Sequence, residues 1–321
     1  MNASLPLVIA VVLNWNKAEQ SAKCVSALRC QHYPNLRIIV VDNGSAEGSL
    51  AALEDLSIPF ILLRNKCNLG FAGGVNVGIG RALADGADYI WLLNNDAEAA
   101  PDVLDRMLPV LEADSTIGLA SPLIRNGDAN DEIEFCGGLW QNNSFDTTDD
   151  PLTYLAWAGS QPRRIWLVAT AVLLRRSAVE KIGLFDEQLF AYWEDNDYSV
   201  RSIKAGFRNV VVPEAVVRHW SGRPKTDAAS KPPHYYYYMA RNEILFIRKY
   251  GSLPRTAKPL YWALMRQLTL AKRLHDYEAG LDAILCGLRD GALRRGGAFG
   301  HGKHVWPVAI RLLRLYARPE R

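Results

Sequence analysis

Runs of apolar residues alternate with more polar, helix-periodic stretches along the first part of the chain. Residues 7–13 (LVIAVVL), 37–41 (RIIVV) and 89–93 (YIWLL) are continuous apolar runs, mostly rich in β-branched side chains, which is typical of strands buried on both faces. Residues 18–30 and the stretch ending at Ala84 have helical spacing instead. This alternation predicts right-handed βαβ units and a parallel sheet.

Shorter segments continue the pattern. Strands are predicted at 60–63, 117–120, 166–174 and 209–212, and helices at 49–56, from Pro101, at 177–182 and at 195–205. Residues 122–160 are polar and rich in Gly and Asp, and they are too many for one structureless loop. We therefore expect small extra strands and a mobile loop in that region.

Polar side chains follow three of the predicted strands. In open α/β sheets, ligands bind at the carboxyl ends of the strands. Each cluster alone would also fit a turn, because Asn, Asp and Gly dominate turns, but three clusters on one sheet edge favour a binding site. They consist of Asn14 and Asn16, of Asp42 and Asn43, and of Asn94, Asn95 and Asp96.

Two further features leave a binding role and a structural role open. The stretch 65–74 (NKCNLGFAGG) precedes a helix, where its backbone N–H groups would reach a phosphate, but it would equally form a tight turn. His219 follows a strand, where a lone histidine is usually structural. As a metal ligand it would need a carboxylate partner, which Asp96 supplies if both lie on one sheet edge.

Three carboxylates lie within four residues of the segment 185–201 (FDEQLFAYWEDNDYSVR), directly after the aromatic pair Tyr192 and Trp193. Like charges raise each other's pKa, so one carboxylate beside aromatic rings would be poised as a general base near neutral pH. The alternative is a helix start, where acidic residues cap the N-terminus and interact with the helix dipole. The three residues are Glu194, Asp195 and Asp197.

The composition indicates the cellular compartment and shows that charge is unevenly distributed along the chain. The 321 residues are 49% hydrophobic and include five cysteines without a C-x-x-C pair, which indicates a reducing compartment. The first apolar run is too short for a signal peptide or membrane span, so we expect a soluble, cytoplasmic protein. From Arg241 onward, sixteen Lys or Arg residues stand against six Asp or Glu residues.

This basic tail contains two segments with helical amphipathicity, 260–274 and 305–316. They would pack on the body of the protein, form a homodimer contact, or lie on an anionic membrane surface. Nucleic acid is disfavoured as a partner, because no binding motif accompanies the positive charge.

In chain order, the motifs VVLNWN, VVDNGS, NLGFAGGxNxG, LLNND and FDEQLFAYWEDNDYSVR, followed by His219 and YYYYMARN, resemble the family 2 glycosyltransferases of the GT-A fold. The similarity is greatest to bacterial rhamnosyltransferase-like members and covers about residues 5–250. It implies an α/β, Rossmann-like domain over 1–240, with a mostly parallel central sheet flanked by helices. A basic helical C-terminal extension would occupy 241–321.

The resemblance also implies residue roles. Asp96 and His219 would hold Mg²⁺ or Mn²⁺, although Asn94 stands where the family usually has a carboxylate, so the ion would lean on diphosphate oxygens. Asp195 matches the catalytic base, and Trp193 and Glu194 would face the acceptor. Residues 167–171 (LVATA) lack a glycine common in the family. The donor side would consist of Asn14, Asn16, Asp42, Asn43, Asn68, Gly70, Gly74, Asn94 and Asn95.

These roles imply an inverting sugar transfer in the cytoplasm, with a peripheral location at the inner face of the cell membrane as an alternative. The favoured donor would be dTDP-rhamnose, with a UDP-sugar as the alternative, and the acceptor would be a glycan or a polyprenyl-linked glycan. A nucleotidyltransferase is the next alternative, but residues 7–18 lack the basic, Gly-rich loop expected there. A non-catalytic nucleotide-sugar-binding module would explain Asn94 but not the retention of both Asp195 and His219.

Overall fold

The computed structural model of the protein describes residues 5–128, 131–141, 144–220, 231–251, 257–274 and 276–300. The predicted helical segment 305–316 lies outside these residues. The chain folds into two compact units. The first comprises the described residues of Met1–Phe185 and Asp195–Gly222, and the second those of Asp186–Glu194 and Arg223–Arg321.

The strands all belong to the first unit. They are β1 (Val8–Asn14), β2 (Leu36–Asp42), β3 (Ile61–Arg64), β4 (Tyr89–Asn94), β5 (Ala97–Ala99), β6 (Ile117–Asn126), β7 (Ile133–Phe135), β8 (Gly137–Gln141), β9 (Ser144–Thr148), β10 (Ile165–Trp166), β11 (Ala171–Arg175) and β12 (Arg208–His219). Most of them follow the apolar runs of the sequence, because burying β-branched side chains on both faces stabilises a central sheet.

The helices are distributed over both units. Those of the first unit are α1 (Ala18–Arg29), α2 (Ala51–Glu54), α3 (Gly70–Ala84), α4 (Val103–Ala113), α5 (Pro151–Ser160), α6 (Arg176–Ile182) and α7 (Glu194–Lys204). Those of the second unit are α8 (Pro233–Tyr250), α9 (Ala257–Ala271) and α10 (Tyr277–Ala292). Helix α7 begins at the last residue of the segment 186–194, so the chain passes from the second unit to the first within its first turn.

The large sheet has the strand order β3-β2-β1-β4-β11-β6-β12-β5, with β7 paired to β6. Its first four strands are parallel, as predicted. Strand β11 runs antiparallel to both β4 and β6, and β5 is antiparallel to β12, so the sheet as a whole is mixed. An apolar run reads alike in either direction, which is why the pattern of β11 did not reveal the reversal.

The predicted strand 166–174 was wrong in extent. It is two strands, of which β10 joins β8 and β9 in a separate three-stranded sheet and β11 joins the large sheet. Between them, the Leu167 backbone N–H donates to Ser199 Oγ at 3.0 Å. A continuous apolar sequence cannot distinguish one long strand from two short ones in different sheets.

Two other regions also differ from the prediction. Within 122–160 the small strands are confirmed, but residues 151–160 form helix α5 rather than a loop. The helix is capped by Asp150, whose carboxylate accepts hydrogen bonds from the backbone N–H groups of Leu152 and Thr153. The predicted short strand 209–212 continues as the long β12, with a register shift between Val212 and Val216.

In the second unit, helices α8, α9 and α10 pack around a core that includes Tyr237, Tyr238 and Ile284. The amphipathic segment 260–274 is confirmed as helical by α9, whereas α8 and α10 were not predicted. No helix among the described residues is both long enough and apolar enough to cross a membrane. The five cysteines are free thiols.

Candidate active site

The ends of β1 and β2 bring two predicted donor residues together. Asn14 and Asp42 are partners in the parallel register, and the Asn14 amide donates to Asp42 Oδ1 at 3.1 Å. The Ser45 hydroxyl donates a short hydrogen bond to the same carboxylate oxygen. The Asn14 side-chain oxygen accepts from Ser21 Oγ at 2.8 Å. Both site residues are buried, so their polar groups are held rigidly at the sheet edge.

Asn16 stabilises the neighbouring loop. Its φ of 55° lies in the left-handed region, which asparagine tolerates better than most residues. Its backbone N–H donates to Ser45 Oγ at 2.8 Å, and its side-chain oxygen accepts from the Ala46 N–H at 2.8 Å. The loop after β2 is thereby tied to the loop after β1.

Asn43 connects the sheet edge to the glycine-containing loop. Its amide nitrogen donates to Asn68 Oδ1 at 3.0 Å and to the Gly70 carbonyl at 2.9 Å. Its side-chain oxygen accepts from Asn65 Nδ2 at 3.0 Å and from the Leu69 N–H at 3.1 Å. With 2% of its surface exposed, Asn43 acts as a buried hub whose donors and acceptors are all engaged.

Glycine is needed for a different structural reason at each of three positions in this region. Gly44 has a φ of 74°, and a Cβ there would lie 2.5 Å from the Cys67 backbone carbon, so only glycine allows the two loops to approach. Gly70 begins α3 with a φ of 77°. A Cβ on Gly74 would lie 2.5 Å from Leu13 Cδ1, so this glycine lets α3 pack closely against β1. Its predicted place near the donor stays a prediction.

Asn94, Asn95 and Asp96, at and after the end of β4, each have different surroundings. The Asn94 backbone N–H donates to the Thr170 carbonyl at 2.8 Å, and the Asn95 amide donates to Ser21 Oγ at 3.2 Å. Asn95 is therefore linked through Ser21 to the cluster around Asn14. Asp96 lies next to β5, and β5 pairs with β12.

The pairing of β5 with β12 brings Asp96 to His219, as the sequence suggested. His219 is opposite Ala97 in the register, and the Trp220 N–H donates to the Asp96 carbonyl at 2.8 Å. Asp96 Oδ1 lies 3.2 Å from His219 Nε2. The carboxylate and imidazole meet because two strands distant in sequence are neighbours in the sheet.

Glu134 on β7 was not identified from the sequence. Both of its carboxylate oxygens lie 3.2 Å from His219 Nδ1, on the opposite side of the ring from Asp96. Burial by itself would lower the pKa of His219, but the hydrogen bonds and charges of Asp96 and Glu134 raise it to about 9. Glu134 lies in a short strand between the partly buried Ile133 and the buried Phe135, and this sequence position carried no signal of the contact.

The Asp96–His219 pair fits a divalent cation by donor chemistry. A carboxylate oxygen and an imidazole nitrogen face each other, and first-row divalent ions accept both. Within the described ranges, no group of three His, Cys, Asp or Glu side chains is arranged to enclose an ion. A bound ion would therefore need further ligands from a diphosphate or from water.

Asp195 begins the first-unit part of α7. It is partly buried, and desolvation raises the pKa of its carboxyl to about 6, against the opposing effect of hydrogen bonds from the backbone N–H groups of Asn196 and Ala169. The Asn196 N–H lies 2.8 Å from Asp195 Oδ1. This supports the prediction of a carboxyl whose pKa is raised towards neutral pH, but the main cause is desolvation rather than repulsion by neighbouring carboxylates.

The other two carboxylates of the cluster differ from Asp195. Asp197 is 1% exposed at its side chain and lies 2.9 Å from Arg201 Nε one turn along α7, so it forms a structural ion pair. Glu194 is buried at the start of the helix. Trp193 packs against Phe246 of α8, with ring centroids 5.4 Å apart.

The segment before α7 has a strained backbone. Phe190, Tyr192 and Trp193 have φ values of 62°, 65° and 73°, in the left-handed region that bulky residues normally avoid. Such conformations cost about 1–3 kcal/mol each and persist only where surrounding contacts enforce them. In the second unit, these contacts come from Arg241 and Asn242, in the middle of α8.

Asn242 and Arg241 bind the carbonyl groups of this segment. The Asn242 amide nitrogen lies 2.8, 2.9 and 2.7 Å from the carbonyl oxygens of Leu189, Ala191 and Tyr192. Arg241 Nη2 donates to the Leu189 carbonyl at 2.8 Å. Both side chains are fully buried. The YYYYMARN motif was part of the resemblance, but its role in holding the chain before α7 was not predicted.

Comparison with known proteins decides the family. The model of glycosyl transferase family 2 matches residues 9–183, which is more than half of the chain. The chain belongs to glycosyl transferase family 2. The resemblance drawn from the sequence motifs is thereby confirmed, and so is the prediction that the protein is an enzyme.

Curated relatives of this family 2 glycosyltransferase are sugar transferases by their names. The N-acetylglucosaminyl-diphospho-decaprenol L-rhamnosyltransferase of Mycobacterium tuberculosis is 27% identical over 264 residues, which cover 74% of this chain and 82% of the relative. The galactofuranosyltransferase GlfT1 of Mycolicibacterium smegmatis is 28% identical over 204 residues, covering 62% of this chain and 66% of the relative.

Solved structures establish the fold of this glycosyltransferase. Mannosyltransferase PcManGT from Pyrobaculum calidifontis, in complex with GDP-Man and Mn²⁺, has a TM-score of 0.56 and 18% identity. The similarity covers 96% of this chain and 78% of that one. Staphylococcus aureus TarS has a TM-score of 0.58 at 12% identity, covering 88% of this chain and 49% of that one. The predicted GT-A fold is confirmed.

The family match includes some residues of the candidate site and leaves others outside the matched range. The residues predicted to bind the donor lie within residues 9–183, as do Asp96 and Glu134. His219 and Asp195 lie beyond the matched range. Their assignment therefore depends on the geometry described above rather than on the match.

Proposed function

We propose that this glycosyltransferase moves a sugar, with rhamnose favoured, from a nucleoside diphosphate to a hydroxyl group of a glycan or polyprenyl-linked glycan, with inversion. The observation that carries the proposal is Asp195, a partly buried carboxylate held by backbone N–H groups, with a pKa of about 6. Such a group is deprotonated at pH 7 yet basic enough to accept a proton in the transition state.

The reaction is a single displacement. The acceptor hydroxyl loses its proton to Asp195 while its oxygen attacks the anomeric carbon of the donor. The bond between that carbon and the diphosphate oxygen breaks, and the electron pair leaves with the diphosphate. One displacement inverts the anomeric configuration, and Asp197, another of the three carboxylates of the cluster, is already paired with Arg201.

The donor's nucleoside binds at the edge formed by Asn14, Asn16 and Asp42. Asn43 supports this edge by holding the loop with Asn68 and Gly70, which lies near the ribose or phosphates. The L-rhamnosyltransferase relative supports rhamnose as the transferred sugar, for which dTDP-rhamnose is the proposed donor. The galactofuranosyltransferase relative supports galactofuranose as the competing sugar, for which a UDP-sugar is the alternative proposed donor.

The diphosphate binds beside Asp96 and His219, which would hold the divalent ion, while Asn94 and Asn95 belong to the donor side. A nitrogen ligand next to a carboxylate favours Mn²⁺ over Mg²⁺, because Mg²⁺ binds mainly oxygen ligands. When bound, the ion supplies positive charge against the negative charge that develops on the leaving diphosphate.

Trp193 and Glu194 face the acceptor in this proposal. Separately, helix α9 would contact the membrane. Tyr261 and Trp262 are each 55% exposed on this helix, and Lys258 and Arg266 are exposed on it as well. Aromatic rings and cationic side chains on the exposed face of one helix match the interfacial region of an anionic bilayer. A homodimer stays a prediction.

Donor binding and product stereochemistry test the function. Wild type and Asp195→Asn are titrated calorimetrically with dTDP-rhamnose, UDP-glucose, UDP-galactose and GDP-mannose, each with and without Mn²⁺. We expect one donor to bind both proteins while only wild type transfers its sugar, and NMR spectra to show an inverted product. A product of unchanged anomeric configuration would overturn the mechanism, and no binding by any donor would favour the non-catalytic module.

The membrane contact has a separate test. Wild type and Trp262→Ser are sedimented with vesicles of pure phosphatidylcholine or with added phosphatidylglycerol. Wild type should bind only the anionic vesicles, and Trp262→Ser should bind them at least several-fold more weakly. Equal sedimentation of both proteins with both vesicles would contradict the proposal.

A further inference from the structure

Glu134 contacts the side of His219 that faces away from Asp96. Its two carboxylate oxygens lie 3.2 Å from Nδ1, and Asp96 Oδ1 lies 3.2 Å from Nε2, so the imidazole ring is held between two carboxylates. The side chains of His219, Glu134 and Asp96 are 12%, 25% and 26% exposed. The contact is therefore shielded from water on the histidine side.

The backbone directs Glu134 towards the histidine. Strand β7 pairs with β6 through Phe135 with Ile124 and Ile133 with Arg125, and a register shift falls between Ile124 and Arg125. Glu134 consequently has no direct partner in the ladder. Bulges of this kind occur beside active sites, where they redirect a side chain.

A carboxylate on one imidazole nitrogen determines what the other nitrogen can do. When Nδ1–H donates to Glu134, the lone pair of a neutral ring resides on Nε2, which is the form that binds a metal ion. The carboxylate also increases the basicity of that nitrogen, and loss of such a partner typically costs about 10–100-fold in metal affinity.

We propose that Glu134 is the positioning residue that orients His219 Nε2 towards the divalent cation and supplies, through the ring, negative charge that Asn94 does not provide. The inference rests on the proposed function, because it presupposes a cation beside the donor diphosphate. Glu134 touches neither the cation nor the sugar in this arrangement and acts through the imidazole alone.

The test is the affinity for Mn²⁺, measured without turnover. MnCl₂ is titrated into wild type, Glu134→Gln, Glu134→Asp and the control Glu132→Gln in the presence of dTDP or UDP, and free Mn²⁺ is followed by electron paramagnetic resonance. Glu132 is exposed and lies two residues away, so it matches Glu134 in charge and neighbourhood. Melting temperatures without Mn²⁺ report whether each variant folds.

Glu134→Gln should weaken Mn²⁺ binding at least tenfold, Glu134→Asp less, and Glu132→Gln less than twofold. At the same Mn²⁺ concentration, the melting temperature of Glu134→Gln should rise less than that of wild type and of Glu132→Gln. If Glu134→Gln unfolds, the affinity of Glu134→Asp decides, and a wild-type value there overturns the inference. Equal Mn²⁺ affinity of wild type and Glu134→Gln also overturns it.

Two failures can be told apart. If wild type binds no Mn²⁺ with either nucleotide, the cation site and the role of Glu134 are both overturned, whereas sugar transfer is still judged by the donor titrations. If wild type binds Mn²⁺ and Glu134→Gln binds it equally, only the positioning role fails.

Discussion

Two buried asparagines each hold a loop of this glycosyltransferase, and they differ in how they could be found. Asn43 follows β2 and ties the loop containing Asn68 to the sheet edge. Asn242 lies in the middle of α8 and binds the carbonyl groups of residues 189, 191 and 192. The first belongs to a cluster typical of ligand-binding sheet edges, whereas a helical asparagine has no such signature.

The two asparagines also stabilise different kinds of backbone. Asn43 engages its side-chain amide with a loop in which Gly70 occupies the left-handed position, so that loop stores little strain. Asn242 instead offsets the cost of left-handed Tyr192 and Trp193 directly before α7. The comparison teaches that Asn43 should affect donor binding, and Asn242 the geometry of the segment leading to Asp195.

The largest expected effect is the loss of turnover on substitution of Asp195, which directly follows the segment held by Asn242. Asp195→Asn removes the proton acceptor, so kcat should fall about 10²–10⁴-fold. The dissociation constant of the donor should change less than twofold, as measured by calorimetry. The exposed Asp55→Asn is the control and should leave both quantities unchanged. Retention of kcat by Asp195→Asn would remove the base from the mechanism.

The next effect tests the Asn242 hub. Asn242→Asp directs carboxylate oxygens at three carbonyl oxygens in a buried site, which should lower the free energy of unfolding by about 3 kcal/mol or more. The measurement is urea denaturation, followed by kinetics under conditions where the variant is folded. There kcat should fall while the KM for the donor stays the same. A raised donor KM with unchanged kcat would contradict the division between the two hubs.

The same substitution at Asn43 should have a smaller and different effect. Asn43→Asp keeps the acceptor for Asn65 and Leu69 but opposes Asn68 Oδ1 and the Gly70 carbonyl with a carboxylate oxygen. We expect about 2 kcal/mol lower stability and a weaker affinity for the donor, with little change in kcat at saturation. If Asn43→Asp and Asn242→Asp gave the same kinetic pattern, the comparison would fail.

The smallest effect is the pH dependence of turnover. Burial raises the pKa of Asp195 to about 6, and only the deprotonated form accepts a proton. The value of kcat/KM should therefore fall as the pH drops through about 6, and it should be about tenfold lower at pH 5 than at pH 7, because about a tenth of Asp195 is still deprotonated at pH 5. A profile flat from pH 7 to pH 5 would show that another group is the base.

The sequence determined the elements and the sheet edge. The apolar runs of β1, β2 and β4 specify buried strands, and the Asn and Asp residues directly after them specify polar turns at one edge. Asn14 and Asp42 meet because neighbouring parallel strands end at the same level, which follows from the alternation of strands and helices. These features depend on local side-chain chemistry, which can be predicted from the sequence.

The tertiary structure decided what depends on residues far apart in sequence. The reversal of β11, the division of 166–174 between two sheets, and the contact of Glu134 with His219 across 85 positions are set by the packing of whole strands. The pKa of Asp195 depends on how fully distant segments remove water from it. A pattern records which residues prefer burial, but only the folded chain determines which partners they are buried against.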